Sequence, residues 1–521
     1  MQRTVLIAAS GLGTRLGELT AEVNKALVRV GDKFAICRII DKHDLTTTRL
    51  VITLGYRGHL LREFLDLAYV DNKFEYVYVD NYDGRGASLG YSLLQAELIL
   101  QCPFLFTCCD SIVLDAIIDP GPVNVLYVST SQDSNSYATV NVKGDNVMRL
   151  NSKGEDTFDF VYTGVSHVHD YAAFWSSLRE LYEVDTATTQ LSDTHAVSSL
   201  LAKGHAFKFI VLKGWHDIGN MSSYKSACAE FKANYNVLFK PDESICFLSD
   251  RVIKFFSSEK RLRNRVQRGA ALGKHAPKIL GFTSHFFSME LVHGDVLSEI
   301  RTYGEVRHLL EWANEHFWVQ RRISQEYVDV CDGFYRNKTL SRVKAQASRM
   351  GDEVGTINGI ETDSILSILD SLNWHDLYTD TFCQFHGDFI LDNIIKTKDG
   401  TFKLIDWRED FGGELMYGDM YYDLAKFRHN LIFNHANIER HLFSLEFEND
   451  SAFVDLKCNF GLMRQLDDFE TFVVEKGLNL KKIKIITALI WLNMAPLHDF
   501  HLGHFLFYFG KFNLCVELAS S

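Results

Sequence analysis

Apolar runs and helical patterns alternate over the first 235 residues of the chain. Short apolar or alternating runs predict strands, and the stretches between them repeat apolar residues at helical spacing. The predicted strands are Thr4–Ala9, Leu50–Leu54, Phe74–Val79 and Phe104–Cys108, and the predicted helices are His59–Leu67 and Ser88–Leu100. This alternation predicts a doubly wound α/β sheet, whose ligands lie at the carboxyl ends of the strands.

The pattern changes near residue 237. A helix predicted over Ser222–Tyr235 ends there, and strands are predicted at Ile245–Leu248 and Arg251–Phe256. Beyond them the pattern is mostly helical to the end, apart from one strand pair around Asn393–Asp406. We therefore predict two domains, residues 1–236 and 237–521. With only six prolines in 521 residues, no stiff proline-rich linker is expected between them.

A glycine-rich loop follows the first predicted strand, at residues 10–16 (SGLGTRL). Gly11 and Gly13 let the backbone approach a phosphate closely, so these two residues and Thr14 are candidates for nucleotide binding. Arg15 can donate paired hydrogen bonds to phosphate oxygens, and Lys25 adds a second cation. A tight strand–helix turn would have the same glycines, so the interpretation depends on what else the domain carries.

Two aspartates are placed where a metal site is expected. Asp110 directly follows an apolar strand, and Asp217 follows a predicted strand at Phe207–Leu212. Two carboxylates on one Mg²⁺ suit an ion that also holds substrate phosphates. A small-residue turn that opens a helix lies between the glycine loop and these aspartates. It contains the candidate ligands of a base and its sugar, which are Asn81, Gly86 and Ser88.

Together these motifs resemble the family of sugar-phosphate and phosphocholine nucleotidyltransferases, over about residues 1–235. The resemblance implies a GT-A-like α/β domain in which a phosphate monoester attacks the α-phosphorus of an NTP and releases pyrophosphate. Arg15 and Lys25 would then be catalytic, and Asp110 and Asp217 would hold Mg²⁺. The chain departs from the family pattern at Ser10, where a glycine is usual, and at Asn24 and Ala26, where prolines usually flank the lysine.

A second motif lies at residues 386–393 (HGDFILDN), and a strand ending in Ile405-Asp-Trp follows it. Phosphoryl transfer needs a carboxylate that orients and deprotonates the attacking hydroxyl, and acceptors that hold Mg²⁺ on the ATP phosphates. Asp388 fits the first role, whereas Asn393 and Asp406 fit the second. Asp406 lies 18 residues after Asp388, and this combination of residues and spacing is far more specific than either pair alone.

This motif resembles the aminoglycoside phosphotransferase and choline kinase family, over roughly residues 240–521. The resemblance implies an α+β protein-kinase-like domain. In it, Lys254 would bind the ATP phosphates, and the backbone at Glu290 and Val292 would read adenine. Asp419 and Asp423 follow the metal-binding aspartate, and we expect both to be structural. The basic stretch Lys260–Arg268 has helical spacing and is expected to be a solvated helix.

Composition limits the other classes of function. The net charge of −13 and the absence of a long basic run argue against nucleic acid as a partner. The longest late apolar stretch, residues 485–497, is too short to span a bilayer, so no membrane insertion is expected. Ten cysteines without a CxxC pair, and no secretory leader, indicate a cytoplasmic protein. The sequence leaves the oligomeric state open.

The two motifs predict consecutive reactions in one chain. The kinase would phosphorylate a small hydroxyl compound with ATP, and the transferase would couple that phosphate to a second NTP, either CTP or UTP. The product would be an NDP-activated precursor, as surface-glycan synthesis uses. A sugar or polyol is preferred as acceptor, and choline or ethanolamine with a cytidylyltransferase is the alternative. In a third reading, the N-terminal domain binds a nucleotide without catalysis and only the kinase is active.

Overall fold

The computed structural model describes residues 3–233, 240–300, 304–322, 327–352, 354–379 and 381–520. Its contacts divide the chain into two compact units. The first comprises Met1–Glu259 with Leu280–Leu291, and the second comprises Lys260–Ile279 with Val292–Ser521. The domain boundary predicted at residue 237 lies outside the described residues and stays a prediction. No helix in the described ranges is long and apolar enough to cross a membrane.

A nine-stranded mixed sheet is the centre of the first unit. The four strands at one end are parallel, and antiparallel pairing begins where Phe160–Val168 joins them. In sheet order the strands are Glu75–Tyr78, Thr48–Leu54, Arg3–Ala9, Phe104–Cys108, Phe160–Val168, Asn124–Ser129, Phe207–Val211, Asn146–Asn151 and Thr139–Lys143. The sheet predicted from the alternating pattern is therefore confirmed.

Helices cover both faces of this sheet, as a doubly wound fold requires. Val5 and Ile7 point into a core shared with Ile36 on one helix and Phe64 on another. The intervening Leu6 points to the opposite core, because successive side chains of a strand alternate between its faces. The helices of this unit are Ala35–Ile40, Gly58–Ala68, Leu89–Leu94, Tyr171–Val184, Asp193–Ala202 and Met221–Glu230.

Two of the helices are shorter than predicted. The one expected over Ser88–Leu100 ends at Leu94, and a separate 3₁₀ turn follows at Glu97–Ile99. The one expected to reach Tyr235 ends at Glu230. The Phe231 backbone leaves the helical region there, and its ring packs under the Arg38 guanidinium, 3.9 Å from the ring centre.

A small four-stranded sheet also belongs to the first unit, apart from one edge residue. It consists, in order, of Glu243–Phe247, Arg251–Phe256, Phe286–Glu290 and Ile279–Phe282. Phe255 and Phe286 lie in the same core as Phe64, and the rings of Phe64 and Phe286 are 5.8 Å apart. Apolar packing therefore joins this small sheet to the α/β domain.

The second unit is mainly helical, with three small groups of strands. The strands are Gly294–Val296 with Ile394–Thr397 and Phe402–Leu404; Arg321–Arg322 with Thr381–Phe382; and Thr356–Ile357, Ile360–Glu361, Phe443–Glu448 and Ser451–Leu456. The longer helices are Glu259–Leu272, Glu305–Trp312, Lys338–Met350, Met420–Ile432, Phe460–Glu475, Leu480–Met494 and Phe500–Ala519. The prediction of a single strand pair in this region is wrong.

Candidate active sites

The glycine loop ends beside Lys25. Gly13 has a φ of +70°, which favours glycine, and a Cβ atom there would lie 3.2 Å from the Lys25 Cβ. A Cβ at Gly11 would meet no described atom within 4 Å. Thr14 begins a 3₁₀ segment, Thr14–Thr20, and is exposed. Gly13 thus allows the close approach of loop and lysine, whereas Gly11 leaves open space above the backbone.

Asn24 holds the lysine in place, where the family pattern has a proline. Its side chain is fully buried and donates hydrogen bonds to the backbone oxygens of Ala9, at 2.8 Å, and Tyr56, at 2.7 Å. Its Oδ1 accepts from the Ala26 N–H at 2.9 Å. One hydrogen bond therefore ties this segment to the end of the first strand, a second ties it to the turn after Thr48–Leu54 and a third is internal, so the loss of the prolines does not leave it untethered.

Lys25, Arg15 and the two aspartates meet around Gly219. Lys25 forms an ion pair with Asp110. A Cβ on Gly219 would lie 2.9 Å from Asp217 Oδ1, 3.2 Å from Asp110 Oδ2 and 3.3 Å from an Arg15 guanidinium nitrogen. The structure therefore brings the four residues predicted to be catalytic or metal-binding in this domain to one small space, which only a glycine leaves open.

The fold explains why two aspartates far apart in sequence meet. Asp110 follows a central parallel strand, Phe104–Cys108, and the short strands Ser111–Val113 and Trp215–Asp217 then pair antiparallel. Their register places Asp217 opposite Ser111, and the Ile218 N–H donates to the Asp110 carbonyl at 2.9 Å.

The pKa values of the two aspartates are shifted in opposite directions. Burial would raise the pKa of Asp110, but the charge of Lys25 outweighs it and holds that pKa below its ordinary value. Burial and the nearby Asp110 charge raise the pKa of Asp217. Burial would lower the pKa of Lys25, yet Asp110 raises it. The site thus concentrates negative charge that a divalent cation would stabilise.

Two hydroxyl groups that sequence reasoning missed orient Asp217. Tyr137 and Ser223 each donate a hydrogen bond to Asp217 Oδ2, both at 3.2 Å, and the Gly219 N–H donates to Oδ1 at 2.9 Å. In the described part of the chain no three His, Cys, Asp or Glu side chains form a metal site. Two carboxylates still fit Mg²⁺, because that ion commonly takes its other ligands from water and substrate phosphates.

The predicted base-binding turn is well ordered by its own contacts. Asn81 donates to the Arg85 carbonyl at 3.1 Å, and Ser88 caps the helix Leu89–Leu94 by accepting from the Tyr91 N–H. A Cβ at Gly86 would lie 2.6 Å from the Thr186 carbonyl, so no larger residue fits there. Nucleotide binding by Asn81, Gly86 and Ser88 stays a prediction.

In the second unit, the loop with Asp388 brings its candidate residues together. Asn393 donates through its amide to Asp388 Oδ2 at 3.1 Å and to the Asp388 carbonyl at 3.0 Å, which leaves the Asn393 Oδ1 as the oxygen that can face a metal. Lys426, which sequence reasoning missed, forms a 2.7 Å ion pair with Asp388 Oδ1. Burial would raise the pKa of Asp388, but Lys426 holds it below its ordinary value.

Asp423 holds the Asp388 loop in place through hydrogen bonds to its backbone, in agreement with the structural role predicted for it. It is fully buried, and its two oxygens accept the backbone N–H groups of His386 and Gly387, both at 2.7 Å. Asp419 accepts from the Tyr335 hydroxyl at 2.8 Å and caps the helix Met420–Ile432. Both carboxylates accept hydrogen bonds that hold the surrounding backbone and side chains in place, so neither is placed to react.

The remaining metal candidate, Asp406, adopts a left-handed φ of +56° just after the strand Phe402–Leu404. Arg265 donates to its Oδ1 at 3.1 Å. The charge of Asp406 also acts on Asp388, which it makes harder to ionise. The two carboxylates thus share one electrostatic environment.

The basic stretch Lys260–Arg268 is helical as expected, but it is only partly solvated. Arg265 is 8% exposed, and Arg268 is fully buried. Arg268 donates to the backbone carbonyls of Phe385, Arg408 and Leu415, and its guanidinium lies over the Phe385 ring at 4.2 Å. Burial lowers the pKa of Arg268 to about 10, so it stays charged. This side chain therefore fixes the backbone on either side of the Asp388 loop.

We expect Arg268→Met to reduce the free energy of unfolding of the second unit by about 3 kcal/mol or more, because three buried carbonyls lose their donor. Phosphotransfer should fall as well, since the loop loses its support. Thermal unfolding and ADP formation would measure both effects. The exposed Arg263→Met provides the matched control, and equal melting temperatures for the two variants would contradict the assigned role.

The predicted ATP-binding residues are divided between the two units. Lys254 pairs with Phe287 on neighbouring strands of the small sheet, and Glu290 pairs with Arg251 at its end. Val292 begins the second segment of the other unit. Their role in ATP binding stays a prediction.

No family model and no curated protein matches the chain. Solved structures match its N-terminal part. The inositol-1-phosphate CTP transferase from T. maritima is 20% identical over 45% of this chain and 98% of its own, with a TM-score of 0.36. The CTP:phosphocholine cytidylyltransferase from Streptococcus pneumoniae is 21% identical over 44% and 100%, with a TM-score of 0.37. The UTP-bound UGPase from Acinetobacter baumannii is 14% identical over 44% and 93%, with a TM-score of 0.37.

Proposed function

We propose that the chain is a bifunctional enzyme that phosphorylates a small sugar or polyol with ATP and then couples the new phosphate to a nucleotide from CTP or UTP. The product is an NDP-activated precursor of the kind used in surface-glycan synthesis. The observation that carries the nucleotidyl transfer is the convergence of Arg15, Lys25, Asp110 and Asp217 around Gly219, whereas the phosphoryl transfer depends on a different loop. The Asp388 loop, with Asn393 and Lys426, supports the phosphoryl transfer.

In nucleotidyl transfer, an oxygen of the phosphate monoester forms a bond to the α-phosphorus of the NTP, and the bond to pyrophosphate breaks. Arg15 and Lys25 stabilise the negative charge that builds up on the phosphates. Asp110 and Asp217 would hold a Mg²⁺ ion, which would neutralise phosphate charge. Tyr137 and Ser223 keep the Asp217 carboxylate oriented toward this space.

In phosphoryl transfer, the acceptor hydroxyl attacks the γ-phosphorus of ATP, and ADP leaves. Asp388 orients the hydroxyl and accepts its proton as the new bond forms. Its lowered pKa keeps it ionised, which the role of proton acceptor requires. Asn393 and Asp406 would hold Mg²⁺ on the ATP phosphates, as oxygen ligands do in this chemistry.

Product formation with defined substrates tests both activities. The purified chain is incubated with ATP, Mg²⁺ and a panel of sugars, polyols and amino alcohols, with each of the four NTPs added, and the products are identified by mass spectrometry. We expect a phosphorylated acceptor first, and an NDP conjugate with release of pyrophosphate when CTP or UTP is present. Phosphorylation without pyrophosphate release for any NTP and sugar phosphate would refute the transferase activity and favour a non-catalytic nucleotide-binding domain.

A further inference from the structure

A cavity of about 160 Å³ lies next to the Asp388 loop in the second unit. Its volume is comparable with cavities that hold a single benzene ring, so its occupant is small. One wall is apolar and comes from the helix Leu480–Met494, and aromatic rings from Phe334, Tyr335 and Tyr422 form another part. The most unusual feature is its charge. Four cationic side chains line it, which are Lys338, Arg342, Arg408 and Lys426.

Few carboxylates are available to balance this charge. Lys426 is paired with Asp388, the predicted catalytic carboxylate. Glu409 is paired with Arg265, and Asp410 accepts a backbone N–H from Gly413. Burial would lower the pKa of Arg408, but Tyr422, Glu409 and Asp410 outweigh it and raise that pKa, so these groups act on Arg408 without an ion pair.

The other three cations have little polar compensation from the described residues. Arg342 donates to the Asn493 carbonyl at 3.2 Å. The Arg408 Nε is buried and has no hydrogen-bond partner in the described part of the chain. The Lys338 Nζ lies over the Phe334 ring, 3.4 Å from its centre, and no carboxylate among the described residues pairs with it. Three cations thus line one small space, and none of them forms an ion pair with a described carboxylate.

This arrangement is costly for the empty protein. Burial and the charges of Arg408, Arg342 and Lys426 all lower the pKa of Lys338 well below its ordinary value. Buried charges without partners reduce stability, so a folded protein keeps them where a ligand supplies the counter-charge. A bound oxyanion would pair with all three cations and would place the rest of its molecule beside Asp388.

We infer that the acceptor of the phosphoryl group is an anionic alcohol, a small sugar- or polyol-derived compound whose carboxylate or phosphate binds Lys338, Arg342 and Arg408. This inference rests on the proposed kinase activity and names its substrate class. The hydroxyl of the bound compound attacks the γ-phosphorus of ATP, its proton passes to Asp388, and the bond to ADP breaks. A cationic alcohol such as choline would be repelled by the same residues.

Matched acceptors that differ only in charge test the inference. Glycerol, glycerate and glycerol 3-phosphate form one set, glucose, gluconate and glucose 6-phosphate form another, and choline is added separately. We expect ADP formation with anionic members, and kcat/KM values at least tenfold lower for their neutral counterparts and for choline. Equal or better use of the neutral compounds or choline would overturn the inference while leaving the kinase activity established.

The variant Lys338→Met separates acceptor binding from other roles of this lysine. We expect the KM for the anionic acceptor to rise about 10- to 100-fold, as for the loss of a charge-assisted hydrogen bond, with the KM for ATP unchanged. The melting temperature should stay equal or rise, because a strained buried charge is removed. Lys344→Met, on an exposed face of the same helix, is the control. A rise in the KM for ATP instead would assign the cations to the nucleotide and refute the inference.

Titration calorimetry with glycerate and with glycerol 3-phosphate provides a readout that does not need turnover. We expect the wild-type chain to bind at least one of the two, and Lys338→Met to bind it at least tenfold more weakly. If binding follows this pattern but no ADP forms with any acceptor, the kinase proposal fails and the anion site stands. If neither anion binds, the anion site itself is refuted.

Discussion

Asp388→Asn is expected to abolish phosphotransfer and to leave nucleotidyl transfer at its wild-type rate. The asparagine can keep an oxygen near Lys426, but it has no charge with which to accept the proton of the acceptor hydroxyl. The loss should be on the order of 10³-fold in kcat, the range typical of general-base removal. ADP formation, and pyrophosphate release with the phosphorylated acceptor supplied directly, would report the two activities on the same preparation.

A matched control lies nearby in the same segment. Asp399 occupies the exposed turn between the strands Ile394–Thr397 and Phe402–Leu404, so Asp399→Asn changes the same charge away from the catalytic loop. Both activities should survive in that variant. If Asp388→Asn instead removes both activities from a folded protein, the model of two separate sites is wrong. If the Asp388→Asn variant keeps a tenth of the wild-type rate of phosphotransfer, Asp388 is not the general base.

The α/β core could be predicted because its signal is local. Three of the four strands at the parallel end of the sheet contain an apolar run, and the residues of these runs alternate between the two cores of the first unit. The position of Asp110 follows from the same pattern, since a polar residue after a buried parallel strand must emerge at the sheet edge. The meeting of Asp110 with Asp217 could be suspected from their positions after predicted strands and from the resemblance to known nucleotidyltransferases. The pairing itself could not be predicted, because the ribbon that joins them has three residues in each strand.

The hairpin Phe443–Glu448 and Ser451–Leu456 shows where a local signal was present and missed. Apolar and polar residues alternate over Phe443–Glu448, buried and exposed positions alternate over Ala452–Asp455, and Asn449 adopts the left-handed φ of +53° that a tight turn uses. The helical pattern of the surrounding sequence hid this alternation. The prediction of helix is therefore wrong for this segment, and the turn residues Asn449 and Asp450 are the local signal that indicates a hairpin.

The basic cavity could not have been predicted, because its charge is assembled by tertiary structure. Lys338 and Arg342 are four residues apart and share one face of a helix, but Arg408 and Lys426 come from two other segments. Arg268 illustrates the same limit in reverse. A run of basic residues at helical spacing is normally solvated. In this chain Arg268 is buried instead, and its guanidinium donates to three backbone carbonyls elsewhere in the sequence.

Lys25→Ala is expected to reduce the kcat of nucleotidyl transfer by roughly 10²- to 10³-fold and to leave phosphotransfer intact. The lysine would stabilise charge on the phosphates, and its loss also leaves the buried Asp110 without its ion-pair partner. The pKa of Asp110 should then rise, which weakens a carboxylate as a Mg²⁺ ligand, so higher Mg²⁺ should recover only part of the activity.

Asp110→Ala should give the same selective loss, because it removes a proposed metal ligand and leaves Lys25 without its ion-pair partner. Lys33→Ala is the matched control, since it breaks a more exposed lysine–aspartate pair, with Asp41, and should leave pyrophosphate release unchanged. Retention of wild-type pyrophosphate release in either Lys25→Ala or Asp110→Ala would show that the residues around Gly219 are not the transferase site. Loss of phosphotransfer in a folded variant would show that the two reactions depend on common residues.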